Sequence, residues 1–243
     1  MIKVEHLSLA YGLTNVSCHI PQGRLVGIMG ANGAGKSTLL KAIAGILPAV
    51  SGRILLKNHP IGEMTAKQRS EQIAYLAQNP QVYWDLSVYD VLALGLPYGH
   101  KKTDEQVKVR SVSAQFSITH LLHKPFRRLS GGEKTRVQLA RCCIKNAPLL
   151  LADEPIAALD PYYQIDIMQQ LKALTPQHTC VVVIHHLSLA YRFCDEVVLL
   201  HHGRLAASGA TKSVLTAENL AQSFAIKAEI SPQRGEIFAV DKC

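Results

Sequence analysis

Short, continuous apolar runs alternate along the chain with segments whose apolar residues recur at helical spacing. Leu25–Met29, Leu149–Ala152 and Cys180–Ile184 are the clearest runs, and each is typical of a strand buried on both faces of a parallel sheet. The apolar residues of Leu39–Leu47 recur every three or four positions, which predicts a helix that stops before Pro48. This alternation predicts an α/β fold, with helices packed on a central parallel sheet.

The beginning and the end of the chain carry a different pattern, in which short strands follow one another without helices. Three such segments near the start predict a small antiparallel sheet: Val4–Ala10, Val16–Ile20 and Ser51–Leu56. A hairpin is predicted around His202-Gly203, and a second one between Lys227 and Val240. A polar helix over Thr65–Gln72 is followed directly by a predicted strand, Ile73–Leu76.

The middle of the chain is predicted to be all-helical. Ser87–Leu96 and 104–116 have helical spacing with no strand pattern beside them, Asn79-Pro80 predicts an extended turn, and 97–102 predicts a loop. A further helix begins at Ser130, which forms an S-x-x-E capping box with Glu133, and its buried face is predicted at Val137, Ala140 and Ile144. Beyond this segment, Asp160-Pro161 predicts the start of another helix, with Asp160 as its N-cap and Pro161 as its first residue. We therefore expect a nucleotide-binding α/β core (1–78 and 147–223), a helical insertion (79–146) and a C-terminal tail that forms a hairpin (224–243).

One segment between a predicted strand and a predicted helix fits the phosphate-binding pattern G-x-x-x-x-G-K-[ST]. Its backbone N–H groups and the following helix N-terminus face one anion together, and its glycines allow close approach of the backbone. The lysine adds a charge for the β- and γ-phosphates, and the serine hydroxyl is a ligand for Mg²⁺. The pattern predicts binding of a nucleoside triphosphate by this phosphate loop: Gly30, Ala31, Asn32, Gly33, Ala34, Gly35, Lys36, Ser37 and Thr38.

Two carboxylates follow the buried run Leu149–Ala152, at the strand end where open α/β sheets bind ligands. Asp153 is placed to hold Mg²⁺, directly or through water, and Glu154 is placed to polarise the water that attacks the γ-phosphate. Ser130 is followed by Gly131 and Gly132, two glycines in the first turn of a helix. Because these glycines destabilise the helix by roughly 1 kcal/mol each, an open, phosphate-facing surface explains them better than capping alone.

Composition narrows the possible partners. The 243 residues carry a net charge of +8, but the basic residues are scattered and no Lys/Arg-rich arm is present, so nucleic acid is not expected. No apolar run approaches the ~18 residues of a membrane span, and we expect a soluble, cytoplasmic protein. The six cysteines lack C-x-x-C spacing and are expected to be reduced thiols, several of them in the core.

Together these segments resemble the ATP-binding-cassette ATPases over about residues 1–223, with the family's motifs in the family's order. The motifs are Tyr11, the phosphate loop, Gln78, Leu129–Glu133 (the signature segment), Leu149–Glu154, Ala158–Asp160 and His185. The resemblance implies a P-loop NTPase core of the RecA type with a small antiparallel β-subdomain and a helical insertion. Tyr11 would stack on adenine; the sequence pattern alone is equally consistent with a tyrosine that packs on an edge strand.

The family resemblance also implies a mechanism and partners. Two copies would form a head-to-tail dimer, with each ATP between one copy's phosphate loop and the other copy's Ser130, Gly131 and Gly132. Gln78 would sense Mg²⁺ and the γ-phosphate, His185 would bind the γ-phosphate, and Asp160 would communicate across the interface. The helical insertion would receive a membrane permease near Gln78, which places the protein on the cytoplasmic side of the inner membrane, with a substrate-binding protein as an indirect partner.

Three departures from the family pattern leave every catalytic group in place: Glu133, Ile156-Ala157 and His186. The segment 213–221 resembles the importers of iron–siderophore, haem and cobalamin, so an importer ATPase is our first expectation. The alternatives are a soluble cassette such as the iron–sulfur assembly ATPase, the ATPase of a zinc or manganese importer, and an exporter.

Overall fold

A central β-sheet organises the chain, of which the computed structural model describes residues 1–78, 82, 84–97, 99, 101–175 and 177–242. The strands are β1 (Ile2–Ser8), β2 (Val16–Ile20), β3 (Leu25–Met29), β4 (Ser51–Leu56), β5 (His59–Pro60), β6 (Ile73–Leu76), β7 (Leu149–Asp153), β8 (Thr179–Val183), β9 (Glu196–His201), β10 (Arg204–Ala210), β11 (Ile226–Ser231) and β12 (Glu236–Lys242). The helices are α1 (Lys36–Ile43), α2 (Ala66–Gln72), α3 (Val88–Ala93), α4 (Lys102–Gln115), α5 (Gly131–Cys143), α6 (Pro161–Leu174), α7 (Leu187–Phe193), α8 (Thr211–Val214) and α9 (Ala217–Phe224).

The central sheet has the order β10-β9-β3-β8-β7-β6 over the described residues. Its strands from β9 to β6 are parallel, and β10 joins β9 as an antiparallel edge hairpin. The three apolar runs form β3, β7 and β8 at its centre, where every residue is buried. The predicted parallel sheet is therefore confirmed, and its central strands are apolar because helices and a second sheet cover both of its faces.

Alternate residues of the central strands enter two separate cores. Leu25, Leu150 and Val182 pack with the helical segments on one face. Val26 and Leu151 pack on the other face, with α1 and the small sheet. Burial of each such side chain stabilises the fold by about 1.5–3 kcal/mol relative to exposure. The continuous apolar runs therefore hold the phosphate loop and the strand ends that carry the predicted catalytic residues on one rigid support.

The small sheet has the order β2-β1-β4-β5 and is antiparallel throughout. This confirms the predicted antiparallel subdomain, with β1 beginning two residues earlier than expected, at Ile2. The short strand β5 was not predicted, because His59-Pro60 offers only two residues and no alternation.

The predicted helix after the phosphate loop is shorter than expected. The helix α1 ends at Ile43 rather than Leu47, and Gly45 adopts a left-handed φ of 69°. Gly45 N donates to Ala42 O at 2.9 Å, and Ile46 N donates to Lys41 O at 2.9 Å. These two bonds form a Schellman motif, which ends the helix at its glycine before Pro48 can do so.

The segment between β6 and β7 contains helices and no named strand among its described residues. α3 begins after Ser87, whose side chain forms a capping box with Asp90, and α4 begins at Lys102, two residues before the predicted start. The predicted turn at Asn79-Pro80 lies outside the described residues, as do Tyr98 and His100 of the predicted loop.

The C-terminal tail forms the predicted hairpin, β11–β12. Ser188 of α7 fixes β12 through its hydroxyl, which donates to Ile237 O and accepts from Ile237 N, both at 3.0 Å. Of the cysteines, Cys243 lies outside the described residues, and the others are free thiols. Among the described residues, none of the helices combines the length and the hydrophobicity that a membrane span requires.

Candidate ATP-hydrolysis site

The carboxyl ends of four neighbouring parallel strands bring the predicted site residues together. The phosphate loop follows β3, Asp153 is the last residue of β7, and Glu154 comes directly after it. His185 lies two residues after the end of β8, and Gln78 lies two residues after the end of β6. In the sheet, Val183 lies beside both Ile28 and Asp153, and Leu76 lies beside Ala152. Residues far apart in sequence therefore reach one edge of the sheet at the same level, as expected for a ligand crevice in an α/β fold.

The phosphate loop is held in a shape that only glycine permits at two positions. Gly35 caps α1 with a φ of 95°, and a Cβ on it would lie 2.4 Å from Gly12 O. Gly30 has a φ of 145°, and a Cβ there would lie 2.3 Å from Leu200 O. No side chain caps the N-terminus of α1, so its backbone N–H groups are available to an anion.

Lys36 is buried within its own loop. Its Nζ donates to Gly30 O at 2.9 Å and to Ala31 O at 2.8 Å. Burial lowers the pKa of Lys36, while the charges of Glu154 and Asp153 oppose that shift. The Lys36 ammonium therefore lies at the base of the phosphate loop, close to where the β- and γ-phosphates are predicted to bind.

Ser37 and Asp153 form the part of the site that suits a hard cation. Ser37 Oγ donates to Asp153 Oδ1 at 2.7 Å, although the two residues belong to α1 and β7. Tyr75, on the neighbouring strand β6, was not singled out in the sequence. Burial and the nearby Asp153 charge raise the pKa of Tyr75 to about 12. Tyr75 lies three residues before Gln78, on the strand beside that of Asp153. This position in the sequence is the feature that could have predicted that Tyr75 lies near the site.

Glu154 is the point at which the other predicted catalytic groups meet. Gln78 Nε2 donates to Glu154 Oε2 at 2.9 Å, and His185 Nε2 lies 2.8 Å from Glu154 Oε1. Glu154 itself has a left-handed φ of 51°, a conformation that costs about 1–2 kcal/mol for a residue with a Cβ. The fold thus maintains a strained backbone at the residue whose carboxylate faces both Gln78 and His185, a combination typical of functional sites.

Tyr11 lies in the loop after β1 and is 63% exposed, so it does not pack on an edge strand. Hydrogen bonds hold this loop beside the phosphate loop: Thr14 N donates to Gly203 O at 2.8 Å, and Gly203 N donates to Ala34 O at 3.3 Å. The loop therefore presents an accessible aromatic ring next to the phosphate loop, as stacking on a base requires.

The signature segment begins α5 with the predicted capping box. Ser130 N donates to Glu133 Oε2 at 2.8 Å, and Glu133 N donates to Ser130 Oγ at 3.3 Å. The hydrogen bond that the Ser130 backbone donates to the Glu133 carboxylate lowers the pKa of Glu133, and the Ser130 side chain contributes in the same direction. Val137, Ala140 and Ile144 are buried, as predicted for this helix.

Ser130, Gly131 and Gly132 make no hydrogen bond to the phosphate loop within the described part of the same chain. A groove of about 440 Å³ lies between the start of α5 and the end of β7, with Asp153 and Glu154 among its lining residues on one side and Gly131 and Lys134 among those on the other. One copy therefore presents the two segments that are predicted to face phosphate without a hydrogen bond between them.

Asp160 is the residue before α6, and Pro161 is the first residue of that helix, as predicted. The Asp160 side chain makes no capping hydrogen bond, which corrects the expectation that it caps α6. Instead, Gln164 Nε2 donates to Leu159 O at 3.0 Å and closes the turn from within the helix. The Asp160 carboxylate is exposed at the end of the loop that follows Glu154.

Comparison with known proteins agrees with this geometry. The sequence profile of the ABC transporter family matches residues 13–157. The hemin import ATP-binding protein HmuV of Bordetella parapertussis is 38% identical over 246 residues, which cover 94% of this chain and 94% of that protein. A chain from an inward-facing ABC transporter assigned to the metal-chelate type is 25% identical with a TM-score of 0.81, over 98% of this chain and 94% of that one. The dimeric ABC transporter cassette MJ0796 is 26% identical with a TM-score of 0.77, over 87% and 99% of the two chains.

A P-loop NTPase fold with these motifs at one edge of its sheet is characteristic of the ATP-binding cassettes. The chain belongs to the ABC transporter family and is an ATPase of that family.

Proposed function

We propose that this chain is the ATP-hydrolysing subunit of an importer of haem or a related metal chelate, with iron–siderophore and cobalamin in the same cargo class. The observation that carries the chemistry is the convergence of Gln78 and His185 on the Glu154 carboxylate, beside a complete phosphate loop. The cargo class rests on the similarity to a hemin import protein, which spans 94% of both chains.

Each group of residues in the site has a separate role in phosphoryl transfer. The phosphate loop and Lys36 bind the β- and γ-phosphates. Ser37 and Asp153, whose oxygens are 2.7 Å apart, fit Mg²⁺, with Gln78 as a further oxygen donor. When bound, Mg²⁺ neutralises charge that develops on the phosphate oxygens.

Glu154 acts as the general base that takes a proton from the attacking water. His185 holds Glu154 and the γ-phosphate in place, and Gln78 connects the carboxylate to the loop after β6. Tyr11 stacks on the adenine ring from the loop beside Thr38, where a Cβ on Gly12 would lie 3.1 Å from Thr38 Oγ1.

Completion of the site requires a second copy of the chain. Gly131 of the signature segment lines the groove opposite Asp153 and Glu154 of its own subunit. We therefore assign Ser130, Gly131 and Gly132 to the γ-phosphate bound by the partner. The arrangement is head-to-tail, with Asp160 at the interface between the two sites. Similarity to a cassette solved as a dimer supports this assembly.

A membrane permease is the second partner that we propose. We propose that the permease contacts the helical segment between β6 and β7, where large apolar side chains are exposed: Trp84 at 72%, Val107 at 69% and Leu94 at 63%. We place the subunit on the cytoplasmic face of the membrane, with a substrate-binding protein delivering cargo to the other side of the permease.

Purification of the tagged chain from its own membranes tests this function. We expect a permease with many membrane spans to co-purify. We also expect deletion of the gene to abolish growth when haem or another metal chelate is the sole source of the metal. A chain that purifies without a permease would indicate the soluble alternative. Loss of zinc or manganese uptake, or of drug efflux, with chelate uptake unchanged would reject the cargo class and leave the ATPase assignment intact.

A further inference from the structure

The second glycine of the signature segment is packed against an aromatic ring that lies outside every motif considered above. A Cβ on Gly132 would lie 2.5 Å from both Cγ and Cδ1 of Tyr163, a distance that real Cβ contacts do not show. By contrast, a Cβ on Gly131 would meet only Leu159 Cδ2, at 3.6 Å. The two glycines therefore lie in different surroundings. Gly131 has room for a Cβ, whereas a Cβ on Gly132 would clash with the Tyr163 ring.

Further contacts hold the same ring and the same two helices together. The Arg136 guanidinium of α5 lies over the Tyr163 ring, 5.4 Å from its centroid. Arg136 Nε is also 3.3 Å from Asp166 Oδ2 of α6, and the Arg136 side chain is only 15% exposed. Asp166 is held in turn by Gln170 Nε2, which donates to Asp166 Oδ2 at 3.0 Å. Because both side chains are partly shielded from water, at 15% and 28% exposure, removal of either partner would leave the other charge poorly solvated.

The position of Tyr163 along the chain connects this contact to the catalytic carboxylates. α6 begins at Pro161, directly after the loop that leaves Glu154, so Tyr163 lies in its first turn. Gln164 Nε2, in the same turn, donates to Leu159 O at 3.0 Å and to Ile156 O at 3.4 Å. The start of α6 is thus tied to the loop after Glu154 on one side and to the start of α5 on the other.

We propose that Tyr163 is a positioning residue for the signature segment: its ring, fitted against Gly132 and covered by Arg136, sets the orientation in which the start of α5 meets the partner's ATP. This inference rests on the head-to-tail dimer proposed above. The proposal implies that the effect of Tyr163 crosses from one subunit to the other. Tyr163 acts through Gly132 of its own subunit, and so it serves the ATP bound by the partner's phosphate loop.

The ring, and not the hydroxyl, carries this role, because the contacts to Gly132 and Arg136 are made by ring atoms. We expect Tyr163→Phe to retain turnover within about twofold and Tyr163→Ala to lower kcat by about ten- to a hundredfold, the loss that a misplaced catalytic element produces. Binding of ATP to the open phosphate loop should keep its Kd in both variants.

Mixed dimers test the direction of the effect and separate it from general destabilisation. Subunits carrying Ser130→Arg keep the phosphate loop, and subunits carrying Lys36→Ala keep the signature segment. A pair isolated through two different affinity tags has one complete composite site and one site that lacks both elements. Tyr163→Ala is then added either to the Lys36→Ala subunit, which supplies the signature segment to the complete site, or to the Ser130→Arg subunit, which does not.

We expect hydrolysis to fall about ten- to a hundredfold in the first arrangement and less than about twofold in the second, with Tyr163→Phe restoring activity in the first. Equal losses in both arrangements would overturn the positioning role, because a purely structural role of Tyr163 does not depend on which subunit carries the change. If the pair without any Tyr163 substitution is inactive, the head-to-tail dimer is wrong, and the inference falls with it.

Discussion

Glu154→Gln separates the geometry of the site from its chemistry, because the amide has the shape of the carboxylate but cannot accept the proton of water. In the native site, Gln78 Nε2 donates to one Glu154 oxygen, and His185 Nε2 lies 2.8 Å from the other. The glutamine amide can keep both contacts: its oxygen accepts from Gln78, and its NH₂ donates to His185 Nε2 in the other imidazole tautomer.

The expected loss is therefore that of the general base alone. A positioned base contributes about 10²–10⁴ in rate, which corresponds to roughly 2.7–5.4 kcal/mol of activation free energy at 1.36 kcal/mol for each factor of ten. The affinity for ATP should not fall, because the phosphate loop, Lys36 and Ser37 are untouched. With hydrolysis blocked and binding intact, the variant should accumulate as an ATP-bound dimer.

The assay is phosphate release by the assembled transporter, with size-exclusion chromatography of the isolated subunit in ATP and Mg²⁺. Glu71→Gln, the same change at an exposed position on α2, is the matched control and should keep wild-type turnover. Turnover of Glu154→Gln within about threefold of the wild type would refute the assignment of the base. A large loss of ATP affinity would instead show that Glu154 shapes the binding site.

Three other predictions follow from individual contacts. The folded state lowers the pKa of Glu133 from its ordinary value of 4.5, so its contribution to stability is present above pH 4.5 and is lost as the pH falls through the lowered pKa. Thermal unfolding of the wild type against Glu133→Gln, which keeps the cap without titrating, should show this acid-dependent difference, and parallel curves would contradict it. Burial raises the pKa of Cys180 and of Cys194 to about 12, so iodoacetamide at pH 8 should label them only after denaturation; rapid native labelling by mass spectrometry would contradict their burial. Gly45→Ala should lower the free energy of unfolding by about 1–2 kcal/mol or more, because Gly45 has a φ of 69° and its Cβ would lie 2.6 Å from Arg69 Cδ; an unchanged urea midpoint would contradict this.

The parts of the fold that were predictable from sequence are those in which a local pattern and the tertiary environment agree. The apolar runs of β3, β7 and β8 predicted the centre of the sheet, because strands covered on both faces need no polar side. The cap at Ser130 was predictable because its partner, Glu133, is only three residues away. Gly45 and Pro48 both favour the end of a helix. Gly45 comes first along the chain, so α1 ends there before Pro48 is reached.

Contacts between distant segments were not predictable in this way. The carboxyl ends of parallel strands indicated that Glu154 lies near the phosphate loop, but not that Gln78 and His185 both contact its carboxylate. The Tyr163 ring was missed because nothing in the sequence of α6 shows that it faces Gly132. The interpretation of the two signature glycines as a single open anion surface was incomplete for the same reason.

A structure of Glu154→Gln with ATP and Mg²⁺ would show whether the hydrolysis site is shared between two copies of the chain. We expect a closed dimer with two ATP molecules. Each would lie between one subunit's phosphate loop, with Ser37 and Asp153 toward Mg²⁺, and Ser130, Gly131 and Gly132 of the partner subunit. A monomer with bound ATP whose γ-phosphate is contacted by its own signature segment, or a dimer that leaves both signature segments exposed to solvent, would contradict it.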